Sequence, residues 1–338
     1  MDKIRIGIVT FHTANNYGAV LQCYALAETL KELGHQVELV DLPLHKAPNT
    51  LRERLRIKLL DKAFSEFRRK FLPKTVSQAT ILDSYYFGSD QVWNPQITAE
   101  NYELFFGSFV PKDKPKVAYA ASFGLSTWKF PEYTNTVTEL LASFKALGVR
   151  ESSAVDICKN EFNVGATQVV DPTLLGTDYT HTFRKRNATN SLVCYIFGKD
   201  DNKMKSLRNI ATKLKLNAVL INDFRIRKQI KSIPFPSVAT WLSHLEASQF
   251  VITDSFHCMV FAIIFKKNFI AIPAILERAD RMVSLLVGLG LKERFFLNIE
   301  DVAESDIILK NIDFEVVDKK IYALRESSLL FLQQSLAN

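Results

Sequence analysis

The chain is poor in the residues and patterns that usually announce a mechanism. It has only four cysteines, Cys23, Cys158, Cys194 and Cys258, with no CxxC pair and no Cys/His spacing suited to zinc. That excludes a disulfide scaffold and a zinc domain, and the four read as free thiols of a reducing compartment. No Walker loop, GxGxxG, HExxH or GxSxG occurs. Nucleotide hydrolysis, ordinary dinucleotide chemistry, zinc hydrolysis and the serine-hydrolase elbow therefore lose their usual sequence support. The longest apolar run, 259–265, stops at Lys266 and Lys267, well short of the ~18–20 residues needed to span a bilayer. The apolar stretch 4–11 is short, carries Arg5 and has no small-residue cleavage site behind it, unlike a targeting signal. The expected protein is soluble and cytoplasmic.

Of the 338 residues, 47 % are hydrophobic, 11 % aromatic and 23 % charged, enough to bury a sizeable core and unlike a disordered or collagen-like chain. The length suits two domains of roughly 150 residues each. A net charge of +7 fits an anionic substrate, a membrane surface or nucleic acid equally well, so it decides little until the charges are located.

Short apolar strand patterns alternate with helical ones. Strands are expected at 4–11, 37–42, 85–87, 117–122, 147–150, 168–170, 192–197, 218–221, 250–253 and 269–272. Helices are expected at 19–33, 139–144, 152–162, 204–216, 240–247, 256–265, 278–289 and 321–336. This is an α/β pattern of parallel sheets covered on both faces. The polar stretch 184–191 suggests a boundary between an N-terminal α/β domain, 1–184, and a C-terminal one, 190–338, with helix 321–336 packing back on the first. Two Rossmann-like domains of this kind would face each other across a cleft where the carboxyl ends of their strands converge.

The segment 51–71 stands apart. Apolar residues fall at Leu51, Leu55, Leu59, Ala63, Phe67 and Phe71, and between Lys46 and Lys74 there are ten basic residues against three acidic ones. Two readings stand: a peripheral helix drawn to anionic lipid, or a core-packed helix with a solvated basic face.

Polar clusters sit where strands end. The first is Thr10-Phe-His-Thr-Ala-Asn-Asn-Tyr-Gly-Ala19 leading to Gln22, either a binding loop or a turn in which Asn caps a helix. Gly88-Ser-Asp-Gln-Val-Trp-Asn94 offers either an apolar plate with hydrogen-bonding groups for a sugar, or a buried Trp anchoring a loop. Arg150, in Val149-Arg-Glu-Ser152, either forks onto a phosphate or carboxylate or pairs with Glu151. Asp171-Pro-Thr-Leu-Leu175 follows. In Thr253-Asp-Ser-Phe-His-Cys258, the polar trio Asp254, Ser255 and His257 at a strand end favours function over structure. Arg278 and Arg281 open a late helix, facing either a ligand or solvent.

Asn16-Tyr-Gly-Ala-Val-Leu-Gln-Cys-Tyr-Ala-Leu26, Gly88 to Asn94, Tyr119-Ala-Ala-Ser-Phe-Gly124, Val149-Arg-Glu151, Asp171 to Leu175 and Thr253-Asp-Ser-Phe-His257, in this order, resemble the polysaccharide pyruvyl transferase family. The resemblance implies a GT-B-like fold. It also implies transfer of pyruvate from phosphoenolpyruvate onto a sugar of a surface polysaccharide or its lipid-linked precursor, with no further cofactor, no metal and no nucleic acid. The family's donor-site histidine looks like His257, and the arginine of its Val-Arg-Glu stretch looks like Arg150. Other members carry an arginine two positions before the histidine, in an Arg-Leu-His triplet. Here Ser255 stands in that position and Phe256 replaces the leucine, so either Arg281 or Arg278 supplies the missing contact or the donor is held differently. The donor residues would then be Arg150, Ser255, Arg278 and Arg281, with His257 and Asp254 catalytic. The acceptor residues would be Asn16, Tyr17, Gln22, Asp90, Gln91 and Trp93 in the N-terminal domain. Two alternatives remain: a glycosyltransferase with a nucleotide-sugar donor, and a catalytically silent carbohydrate-binding relative.

Overall fold

The apolar runs of the sequence become the strands of two all-parallel sheets. They are seen in a computed structural model that describes residues 3–43, 50–198, 200–223 and 230–337. Lys46 and the Leu51 side chain, both part of the basic amphipathic segment, lie outside the described residues. The chain divides into a first unit, Met1–Pro48, Phe71–Thr177 and Ile321–Asn338, and a second, Asn49–Lys70 and Asp178–Lys320.

In chain order the first stretch runs β1 (Arg5–Val9), α1 (Tyr17–Glu32), β2 (Gln36–Asp41), α2 (Leu51–Phe71), β3 (Thr75–Ser77), β4 (Ser84–Phe87), α3 (Pro95–Thr98), α4 (Tyr102–Phe105), β5 (Lys116–Ala121), α5 (Thr134–Ala142), β6 (Ala146–Val149), α6 (Ser152–Asn160) and β7 (Thr167–Gln168). The strand order is β3-β2-β1-β4-β5-β6-β7. β4 and β5 are buried along their whole length, as continuous apolar runs covered on both faces must be. α1 begins because Asn16 Oδ1 accepts the Ala19 N–H at 3.3 Å, satisfying a free donor of the first turn. The order reverses between β1 and β4, and in such sheets ligands sit outside the carboxyl ends of the strands at that point.

The second stretch runs β8 (Ser191–Tyr195), α7 (Asp201–Leu214), β9 (Asn217–Ile221), β10 (Lys231–Ile233), α8 (Val238–Ala247), β11 (Phe250–Thr253), α9 (Phe256–Ile264), β12 (Asn268–Ala271), α10 (Asp280–Leu289), α11 (Ile299–Glu304) and α12 (Phe314–Leu336). Its strand order is β10-β9-β8-β11-β12, with the reversal between β8 and β11. The polar residues 184–190 are exposed and lead straight into β8, whereas the two units part at Thr177 and Asp178. From Ile321 onward α12 belongs to the first unit. There Ser328 Oγ accepts the Val170 N–H at 3.0 Å, Arg325 Nε donates to the Leu174 carbonyl at 2.9 Å, and the Ser335 and Tyr86 hydroxyls lie 2.9 Å apart.

Candidate functional site

At the first unit's strand reversal, the loops after β1, β4, β5 and β6 and the turn beyond β7 are joined by one polar network. β4 can turn there only through Gly88: its φ is +112°, and a Cβ at this position would strike the Tyr119 carbonyl. The turn delivers Ser89 into a cradle. Its N–H donates to Gln22 Oε1 (3.1 Å) and its carbonyl accepts from Thr10 Oγ1 (2.9 Å), which in turn accepts from Gln22 Nε2 (2.8 Å). Ser89 Oγ donates to Asp171 Oδ2 at 2.8 Å, and Arg150 Nη1 reaches the same oxygen at 3.0 Å. Asp171 Oδ1 accepts from the N–H and hydroxyl of Thr173 at 3.1 and 2.7 Å. Ser122 Oγ accepts the Gly124 N–H at 3.0 Å and donates to Glu151 Oε1 at 2.6 Å. Every motif of the first unit thus contributes to a single knot.

Arg150 is the centre of that knot, and this corrects its reading as a fork for a donor phosphate. The buried guanidinium lies 3.0 Å from Asp171, 3.6 Å from Asp90 and 3.6 Å from Glu151. Burial alone would lower its pKa, but Asp171 first, then Asp90 and Glu151, more than offset this and hold it above the usual value. With three carboxylates around one guanidinium, the arginine's pairing capacity is turned toward the loops it joins.

The acceptor residues divide. Trp93 is 0 % exposed, stacked on Phe106 at 5.5 Å and edge-on to Phe144 at 5.9 Å, with its indole N–H donating to the Phe105 carbonyl at 3.2 Å. It is a core anchor and cannot present a plate to a sugar. Gln22, equally buried, holds Ser89, which is likewise a correction. Tyr17 is buried in α1, and burial pushes its phenol pKa up. Gln91 is also buried, and its Oε1 accepts from Asn94 Nδ2 at 3.2 Å. Only Asn16, exposed, and Asp90, half-buried, keep accessible side chains among the six.

The strand reversal of the second unit carries the other cluster. Thr253 Oγ1 ties β11 to β8 by donating to the Tyr195 carbonyl at 2.7 Å and accepts the Ser255 N–H at 3.0 Å. Asp254 Oδ2 accepts the Phe197 N–H at 2.7 Å, fixing the chain as it leaves β8. Ser255 caps α9, its Oγ accepting the Cys258 N–H at 3.4 Å. His257 lies in the first turn of α9, as buried as Asp254 beside it, with its ring 5.1 Å from that of Phe256 and edge-on to it. The Arg281 guanidinium lies over the same Phe256 ring, 5.8 Å from its centre. The fold therefore brings Arg281, His257 and Phe256 together, with Asp254 and Ser255 on the adjoining residues. Arg278 is half-buried in the turn before α10. Sequence reasoning missed Phe197, a 47 % exposed aromatic at the tip of β8 set edge-on to Tyr195. Its only signal was a Gly directly behind the strand. Among the described residues, no three His, Cys, Asp or Glu side chains gather as metal ligands.

Two parallel Rossmann-like sheets with polar clusters at their reversals place the chain in the GT-B-like α/β class. A UDP-bound Arabidopsis thaliana UGT89C1 matches with a TM-score of 0.57 at 10 % identity, covering 99 % of this chain and 100 % of the other. An alpha-glucosyltransferase in complex with UDP and a 13-mer DNA matches at 0.52 and 11 % identity, covering 98 % of each chain. A Thermobaculum terrenum O-GlcNAc transferase mutant matches at 0.51 and 12 % identity over 98 % of this chain, which spans 66 % of that one. No curated protein sequence matches significantly. The chain belongs to the polysaccharide pyruvyl transferase family, whose profile matches residues 16–273.

Proposed function

We propose that the protein transfers pyruvate from phosphoenolpyruvate to two hydroxyls of a sugar in a polysaccharide or its lipid-linked precursor, forming a ketal. The observation that carries the reading is the stack of Arg281 on Phe256 beside His257, at the strand reversal of a chain of this family. Where other members have arginine, this chain has the helix cap Ser255. The ring that replaces the leucine holds a guanidinium from α10 in the same neighbourhood. A donor bearing both a carboxylate and a phosphate needs cations there, and Arg281, with Arg278 nearby in sequence, supplies them.

His257 protonates the methylene carbon, leaving cationic character at the carbon that carries the phosphate. The first sugar hydroxyl adds to that carbon and its proton returns to His257. The C–O bond to phosphate then breaks, the second hydroxyl adds to the same carbon, and its proton leaves with the phosphate as hydrogen phosphate. Asp254 places a carboxylate beside the cationic centre. No step requires a metal or a further cofactor.

A nucleotide-sugar donor is the second reading, favoured by the UDP in two structures of similar fold. Thermal melting separates the two, because a ligand at 100 times its Kd stabilises the native state by about 2.7 kcal/mol. Phosphoenolpyruvate should raise Tm and UDP should not; the reverse overturns the pyruvyl-transfer reading.

A further inference from the structure

We infer that the N-terminal half of α2 is a docking face for an anionic lipid surface. Among the described residues, the buried side chains of the helix lie in its second half, where Ala63, Phe64 and Phe67 are buried and Arg68 lies over the Phe64 ring at 5.5 Å. Over 54–59 every side chain is exposed, including Leu55 (59 %), Ile57 (37 %) and Leu59 (43 %). Leu55 and Leu59, one turn apart, put two large aliphatics side by side on one water-facing stripe, while Ile57 lies on another side of the helix.

The charges around them name its chemistry. At 3.6 residues per turn, Arg54, Lys58 and Lys62 form one basic stripe, and Leu55 and Leu59 form an apolar stripe beside it. Arg56, Arg69 and Lys70 add exposed positive charge. Among the described side chains of the helix the opposing acids are Asp61, 3.8 Å from Arg68, and the exposed Glu66; the sequence adds Glu53 in the N-terminal half, still outnumbered by the basic residues there. Cations alternating with bare Leu and Ile suit a bilayer interface, where apolar side chains enter the acyl boundary and ammonium and guanidinium groups meet phosphate. A nucleic acid would satisfy the charges and leave the aliphatics in water. Among the described residues no helix is long and apolar enough to cross a membrane, so the contact is peripheral. It rests on α2 alone and is independent of the donor chemistry.

Vesicle flotation tests it without any activity assay, using the full chain with neutral phosphatidylcholine or with phosphatidylcholine containing phosphatidylglycerol. Each basic residue near an anionic surface is worth roughly fivefold in partition. Arg54→Glu/Lys58→Glu/Lys62→Glu should therefore lose at least tenfold, and high salt should weaken binding of the unmodified chain. Leu55→Ser/Leu59→Ser should reduce binding while keeping salt dependence. All five positions are exposed, so circular dichroism of both variants should match the parent. No flotation, equal flotation on neutral and anionic vesicles, or flotation indifferent to both variants would overturn the proposal. So would absence of flotation combined with self-association that the serine variant abolishes, which would assign the face to a second copy.

Discussion

Arg150 Nη1 donates to Asp171 Oδ2 at 3.0 Å, with both side chains buried and Ser89 Oγ bound to the same oxygen. One cation thereby fastens the ends of β4, β6 and the turn beyond β7, elements whose residues are far apart in sequence. Arg150→Ala would leave Asp90, Glu151 and Asp171 facing one another. Breaking a buried pair in this way costs about 3–5 kcal/mol, so urea denaturation should show a large fall in midpoint. A variant of normal stability that had lost only phosphoenolpyruvate affinity would contradict this assignment.

Trp93 should behave as a packing residue. Truncating a fully buried Trp to Ala costs about 3–5 kcal/mol, and Trp93→Phe, which keeps a ring against Phe106 and Phe144, should cost less. Chemical denaturation of both variants checks the order. Unchanged stability in Trp93→Ala together with weakened sugar binding would restore the stacking role.

The second unit's cluster should respond in the opposite sense. His257→Ala should lower pyruvate transfer by about 10²–10⁴, the usual contribution of a general acid or base. Arg281→Ala should raise KM for phosphoenolpyruvate, and Arg281→Lys should not fully restore it, since an ammonium lacks the fork and stacks poorly on Phe256. Steady-state kinetics with phosphate release as readout distinguishes the two effects. Normal turnover in His257→Ala would remove that residue from the chemistry.

A pH effect on stability follows from His244. Its Nε2 sits 2.7 Å from Arg186 Nη1, an arrangement that suits the neutral ring. Burial first, then Arg186 and Lys231, lower its pKa from 6.5 to about 4. The unfolded chain therefore binds a proton at higher pH than the native one. The His244 contribution is complete above pH 6.5 and is lost progressively as pH falls toward 4. Melting temperatures across that window should decline less steeply in His244→Gln than in the parent, and identical slopes would contradict the assignment.

Much of the fold was legible because β1, β4, β5, β8 and β11 are short apolar runs bounded by polar residues. β3 and β10 were not, because Thr75–Ser77 and Lys231–Ile233 are edge strands with too little apolar character to stand out. α5 begins at Thr134, earlier than expected, because its Thr/Asn-rich first turn reads as loop, and α12 begins at Phe314 through a charged opening stretch. The positions of the polar clusters were also legible, since polar residues directly after buried strands mark the carboxyl edge of a parallel sheet. Which of those residues face a ligand was not. The fate of Ser89 depends on Asp171, 82 positions away, and that of Trp93 on Phe106, Phe123 and Phe144 closing around it. Arg281 and His257 both lie against the Phe256 ring, a meeting of two helices that no local pattern announces.

Pyruvyl transfer is read most directly from the mass of the product. Incubating the protein with phosphoenolpyruvate and candidate lipid-linked oligosaccharides should add one ketal-linked pyruvate to an acceptor and release one phosphate, with neither change in His257→Ala. Consumption of a nucleotide sugar with a hexose added to the same acceptors, and no pyruvate gained from phosphoenolpyruvate, would contradict it.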